Sequence, residues 1–261
     1  PIDIDPDTGF VERRTPAQQW LEYVLLCLGN IAWSIDSSLL PLFFREFQGL
    51  FGVSQTQLSM LTTVKGWAAA ACAFPCGFFA ELLPRPQFVG AAMVLWASGL
   101  ALCAAANSFE VLFAGRVLNG IGLGVVHPLL LSLVADKNPP TRRGSAFGTF
   151  FFVGEVCKTL FGLVATRYAA ASVGGIAGWR VSISVVVVLS ACVGLSILWL
   201  VGEPTSAVER QRKRAQGFCS VLRENFPKCL QLFGYPTFVL IVASGVPGTA
   251  PWTIFPFFTQ W

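Results

Sequence analysis

Apolar residues in this chain come in long unbroken blocks, not at the spacing of one helix face or one strand face. Each block approaches the ~20 residues that a helix needs to cross a bilayer. Seven blocks can be read, at residues 20–42, 58–83, 87–106, 110–135, 146–169, 176–201 and 235–261. The punctuation between them is polar or rich in Gly and Pro. Pro84 and Pro86 interrupt the chain after the second block, and Asn107 and Ser108 are placed to cap the fourth. Pro139, Pro140 and Gly144 mark a turn before the fifth, and Glu203-Pro204 stops the sixth. The pattern predicts an all-α membrane protein.

One long polar segment, residues 202–234, separates six blocks from the last. The expected organisation is an N-terminal segment over residues 1–19 and a six-span bundle over 20–201. A charged central loop follows over 202–234, and then the first span of a second bundle over 235–261. The chain starts with Pro1 and ends at Trp261 inside an apolar block, so both ends read as cut from something longer.

Composition supports the membrane reading. The chain has 261 residues, 54% of them apolar and only 12% charged, about half the charged share of a soluble domain. The formal charge of +4 is too small an excess to indicate nucleic acid. Eight cysteines include no C-x-x-C pair, and His127 is the single histidine. Neither a metal site, a cofactor nor an enzymatic constellation is expected from that material.

Charge distribution sets an orientation. With the N-terminus in the cytoplasm, the inner segments hold twelve Lys and Arg, among them Arg85, Lys137, Arg142, Arg143 and Arg210. The outer segments hold three, Arg45, Arg167 and Arg180. The positive-inside rule therefore predicts a cytoplasmic N-terminus.

Ionisable residues inside the blocks are costly in lipid and point to function. Asp36 lies in the first block, Lys65 in the second, Arg116 in the fourth, and Glu155 and Lys158 three residues apart in the fifth. They are expected to face one another around a hydrated solute and ion path, with an excess of positive charge that suits an anionic group on the ligand. A structural ion pair is the competing reading of Glu155 with Lys158, and snorkelling to the surface that of Lys65. His127 reads as a packed or interfacial histidine. Pro41, Pro75 and Pro128 are kink candidates. Trp33, Trp67 and Phe74 read first as core packing, with lining of the path as the alternative. Small residues crowd blocks two to four and suit close helix approach.

Three segments resemble the major facilitator superfamily. Gly77-Phe78-Phe79-Ala80-Glu81-Leu82-Leu83-Pro84-Arg85 is similar to its G-x-x-x-D-R-x-G-R loop, with Leu82 and Pro84 departing from the pattern. Arg116-Val117-Leu118-Asn119-Gly120-Ile121-Gly122-Leu123-Gly124 resembles its R-x-x-x-G-x-G-x-G, and Asp136 to Gly144 its basic loop after span four. Gly178-Trp179-Arg180 at the start of block six is also typical. A finer resemblance is to spinster-like transporters. It rests on Asp36 with Pro41, on Glu203-Pro204 with Ala207-Val208-Glu209-Arg210, and on Gly248 with Pro251-Trp252. Leu123 stands where spinster members usually carry Glu.

The resemblance implies the N-terminal half of a twelve-span fold, made of two inverted three-span repeats, plus span seven. It implies a secondary transporter moving a small organic or lipid-like solute by alternating access, with proton coupling left open. Asp36, Lys65, Arg116, Glu155 and Lys158 would lie on the path. Gly77, Glu81 and Arg85 would form the cytoplasmic gate. Gly120, Gly122 and Gly124 would pack helices. The partners implied are the solute, the lipid bilayer and the missing C-terminal half. The alternatives are a seven-span receptor-like protein, disfavoured by the N-terminal orientation, and an inactive half-transporter.

Overall fold

The computed structural model describes residues 15–202 and 218–245. Helix α1 spans Pro16–Leu39, α2 Phe44–Phe51, α3 Gln55–Leu82, α4 Arg85–Ala105, α5 Phe109–Lys137, α6 Arg143–Tyr168 and α7 Gly178–Leu200. After the central loop come α8, Phe218–Leu232, and α9, Pro236–Gly245. The only strands among the described residues form a short ladder, Ser172–Val173 with Ile176–Ala177, in the turn before α7. The fold is therefore the all-α membrane bundle that the blocks predict.

Local chemistry sets the helix starts. Thr15 and Ser54 each form a reciprocal capping box, with Gln18 and Gln57 respectively. The Ser108 side chain accepts from the Val111 amide, as the sequence suggests. Pro41 lies inside the candidate span Pro16–Phe51, at the break between two helices. It opens a 3-10 turn, Pro41–Phe43, that ends α1 and leads into α2. Pro75 and Pro128 do lie inside helices α3 and α5.

Five described helical stretches are long and apolar enough to cross a membrane, and the bent pair α8–α9 would make a sixth. Helix α3 is not among them. It is long enough at 28 residues, but its mean hydropathy is lowered by Thr62, Thr63, Lys65, Gly66, Trp67 and Pro75. Its place in the bundle comes from packing, because it lies along α5 and buries Lys65 there. Of block seven only the part in α9 is described.

The packing scheme is repetitive. Helix α1 packs on α6 and α7, α5 packs on α3 and α4, and α4 packs on α7. Exchanging α1, α3 and α4 for α5, α6 and α7 maps this set onto itself. Three helices per unit means that the second unit enters the membrane from the opposite side, as in two inverted repeats. In this arrangement α1 and α5 are equivalent and touch each other at the centre.

Glycine allows the tightest contacts. A Cβ at Gly120 would lie 2.5 Å from the Lys65 carbonyl oxygen, and one at Gly124 would strike the Ala69 carbonyl. On the other face of α5, a Cβ at Gly122 would lie 2.7 Å from the Ala92 oxygen, and one at Gly115 2.7 Å from Cys103 Sγ. Helix α5 thus meets α3 with one row of glycines and α4 with another. Gly77 differs, since an added Cβ there meets nothing within 4 Å.

The end of the bundle that holds the start of α1, here the base, is tied by polar contacts. Lys137 Nζ donates to Glu22 Oε2 at 2.8 Å and to the Gly202 carbonyl at 2.9 Å, while the Gly202 amide donates to Glu22 Oε1 at 2.9 Å. One ion pair thereby joins the first turns of α1, the end of α5 and the exit from α7. At the opposite end, Arg180 donates to the Ala104 and Ala106 carbonyls and to Asn107 Oδ1. Its guanidinium lies 4.5 Å from the centre of the Trp179 ring, which packs edge-on against Phe47 of α2.

Replacing Gly120 or Gly122 by Val should cost at least about 1–3 kcal/mol by overpacking. Gly77→Ala, inside α3 with open space around it, should instead raise stability by about 0.5–1 kcal/mol. Thermal unfolding of the detergent-purified protein checks the contrast.

Candidate functional site

Three of the charged residues singled out by sequence meet in one buried cluster. Asp36, in the last turn of α1, has no exposed surface, nor does Arg116 of α5, and Lys65 of α3 is 7% exposed. Lys65 Nζ donates to Asp36 Oδ2 at 3.0 Å and reaches the Asp36 carbonyl oxygen at 3.3 Å. Arg116 donates to Asp36 Oδ1 at 3.4 Å. The charges touch directly rather than across an open path. Lys65 does not snorkel.

A fourth residue completes the cluster. Asn119, one turn after Arg116 and fully buried, accepts from Arg116 at 3.2 Å and donates to Asp36 Oδ1 at 3.4 Å. Sequence reasoning noted Asn119 only as a motif letter. The available signal was its i+3 spacing from Arg116, which puts both on one helix face.

The local fold brings these groups together. Asp36 and Arg116 lie on α1 and α5, the equivalent helices of the two repeats. The glycine contact between Gly120 and the Lys65 backbone draws α3 close enough for Lys65 to reach Asp36. Burial of an isolated charge in this setting costs several kcal/mol, so each group depends on the others. The carboxylate offsets two cations, and the cluster keeps a net positive charge. Arg116 Nε and one terminal nitrogen have no hydrogen-bond partner among the described residues.

Glu155 and Lys158 are not part of this cluster. They pair with each other along α6, and Glu155 is largely exposed, its side chain 58% accessible. Helix α6 is the least buried of the apolar helices. It touches α1 through Gly154, which lies against Asn30 and Ser34, while Asn30 donates to the Phe150 carbonyl at 2.7 Å.

The aromatic residues divide. Trp33 stacks on His127, ring centres 4.0 Å apart and planes 18° from parallel, which places the histidine in helix packing between α1 and α5. Trp67 and Phe74 are 76% and 62% exposed on α3. Core packing therefore does not describe them. The α3 face that carries them is turned away from α5.

At the base, Arg85 donates to Asp136 Oδ2 at 2.6 Å and to the Ser132 hydroxyl at 2.7 Å, tying the α3–α4 turn to the end of α5. Glu81 Oε2 accepts from Asn225 of α8 at 3.2 Å. Among the described residues no group of His, Cys, Asp and Glu could hold a metal ion.

Removing Asp36 should be the costliest single change in the cluster, because Asp36→Asn leaves two buried cations side by side. A loss of about 3–5 kcal/mol is expected. Lys65→Met leaves the Asp36–Arg116 pair intact and should cost less. The order of the two thermal midpoints checks that Asp36 is the hub.

Residues 16–261 match the profile of the Major Facilitator Superfamily. The human proton myo-inositol cotransporter is 24% identical over 225 residues, which is 83% of this chain and 33% of that protein. A bacterial homologue of the human lysosomal transporter Spinster, inward-facing and occupied, superposes with a TM-score of 0.65 at 22% identity, over 75% of this chain and 46% of that one. The proton:xylose symporter XylE bound to 6-bromo-6-deoxy-D-glucose gives 0.66 at 14% identity, over 84% and 53%. At these identities the structural likeness concerns the fold alone. The chain spans a third of the length of the curated relative it matches.

Proposed function

Because the chain belongs to the Major Facilitator Superfamily, we propose that it forms the first half of a secondary transporter, moving a small organic or lipid-like solute by alternating access. In this reading residues 20–201 are the N-terminal bundle, 202–234 the central loop and 235–261 the first span of the second bundle. The N-terminus and the base face the cytoplasm, where the basic loops concentrate.

The observation that carries the reading is the buried Asp36–Lys65–Arg116 cluster at the junction of α1, α3 and α5. A charged network in a membrane bundle is expensive and has no counterpart in simple packing. It lies on the two central, repeat-equivalent helices, where a solute passing between bundles would meet the first one. Arg116 keeps two donors without a partner among the described residues, and in this reading an acceptor-bearing, anionic group on the solute takes them in a conformation that opens the cluster. Asn119 positions both Asp36 and Arg116.

Glu155 and Lys158 lie on an open part of α6, and in this reading they meet the solute path or the second bundle. Gly77, Glu81 and Arg85 belong to the cytoplasmic gate. The contacts of Arg85 with Asp136 and of Glu81 with Asn225 support that role, and the open space beside Gly77 leaves room for a helix of the second bundle. Between branches of the family, the resemblance carried by Asp36 with Pro41 supports a spinster-like, lipid-like solute, while the myo-inositol cotransporter supports a polyol.

The test is uptake into proteoliposomes by the full-length protein, with labelled myo-inositol, hexoses, lysophospholipid and sphingoid base, with and without an imposed proton gradient. One solute should be taken up saturably. Asp36→Asn and Arg116→Ala should each lower that uptake by roughly tenfold or more, the loss expected for one buried charge-assisted contact. Glu155→Gln should fold normally. Equal uptake by the wild type and both cluster variants would remove the cluster from the path. An N-terminal tag should be reached by antibody only after the cell membrane is permeabilised, and staining of intact cells would reverse the orientation.

A further inference from the structure

Helix α8 has a feature that solute transport does not use. Phe226, Leu230 and Phe233 follow at i, i+4 and i+7 and so form one stripe along the helix and the turn after it. They are 43%, 55% and 60% exposed. On the far side, Lys228 pairs with Glu224 at 2.8 Å, both side chains well exposed, and Gln231 and Ser220 are exposed with them. Arg223, also exposed, falls at the border between the apolar stripe and the polar face. Taken by itself, Arg223–Leu232 is too short to cross a bilayer, and the stripe is not covered by the described residues; Leu232, 44% exposed, is an apolar residue outside it.

Its direction supplies the second observation. The chain bends by 82° between Arg223–Leu232 and Pro236–Gly245. Helix α9 is apolar and exposed along Val239, Leu240, Ile241 and Val242. With α9 entering the membrane, α8 lies nearly in the membrane plane. It sits at the level of the base, because Asn225 bonds to Glu81 in the last turn of α3. At ~100° per residue, the side of α8 that carries Asn225 is roughly a quarter turn from the apolar stripe. With α3 beside the helix, the stripe can face the hydrocarbon while the Glu224–Lys228 face meets water.

We propose that α8 is an interfacial helix that binds the surface of the same bilayer, with Phe226, Leu230 and Phe233 sunk at the headgroup–acyl boundary and Arg223 on an anionic lipid headgroup. The charge of the segment fits that partner. Residues 202–234 hold six Lys and Arg against three Glu, and an inner leaflet rich in anionic lipid attracts such segments. An amphipathic helix held in this way fixes the height of the central loop against the membrane. The inference rests on the reading of α9 as the start of a span, and the experiment separates the two.

The full chain would carry the photoreactive residue benzoylphenylalanine at one position at a time, Leu230, Gln231 or Leu240. Each version would be reconstituted in vesicles of phosphatidylcholine and phosphatidylglycerol and illuminated, and its adducts identified by mass. Lipid adducts are expected at positions 230 and 240 and not at 231. In the version labelled at 230, Arg223→Gln should lower the phosphatidylglycerol share of the adducts by about fivefold, the effect of one basic residue at such a surface. Lipid at 240 with only protein adducts at 230 would mean that protein covers the stripe, and would overturn the proposal while sparing the span. No lipid at 240 and none, in a further version, at Val242 on the opposite face of α9 would overturn the span, and position 230 would still report on α8. A version labelled at Phe226 repeats the test if the one at 230 does not fold. An unchanged phosphatidylglycerol share after Arg223→Gln would overturn the anionic contact.

Discussion

The structure turns on one carboxylate. Asp36 holds Lys65 and Arg116 inside a bundle where burying either cation without a partner would cost several kcal/mol. Through those two bonds, and through Asn119, it joins three helices that come from both repeats. The hydrophobic effect cannot do this in lipid, where an apolar side chain gains nothing by leaving its surroundings for another helix. What remains is close packing and polar pairing. The bundle uses the first along α5 and the second at Asp36.

The two devices depend on each other. The salt bridge between Lys65 and Asp36 needs α3 close to α5, and Gly120 provides that closeness beside the Lys65 backbone itself. A glycine motif that reads as simple packing is therefore also part of the electrostatics. The same helix meets α4 through Gly115 and Gly122, so α5 is gripped on two sides. This arrangement explains why a chain with so little apolar contrast between its helix faces still has one arrangement of helices.

Much of this was legible in the sequence, because membrane constraints are coarse. Block length gave the helices within a few residues, and the cost of buried charge marked Asp36, Lys65 and Arg116. Glu155 with Lys158 carried two readings, a place on the solute path and a local ion pair, and the i, i+3 contact is that pair. The misses have physical causes. Trp67 and Phe74 looked like core because aromatic residues usually are. Their exposure leaves the other reading, lining of the path, because residue type alone does not separate packed from open positions on a membrane helix. Helix α2 was hidden because eight amphipathic residues leave no trace in a pattern of long blocks. Asn119 was missed because neutral polar residues inside spans are too common to single out without coordinates.

The grip on Gly202 has a mechanical consequence. Glu22 and Lys137 hold both the amide and the carbonyl of this residue, and the two side chains come from helices of different repeats. The clamp exists only while the ends of α1 and α5 stay together. If the repeats part at the base, the residue where the chain leaves the bundle is let go in the same step. One joint thus holds two things at once, the closure of the repeats at the base and the point of exit of the backbone.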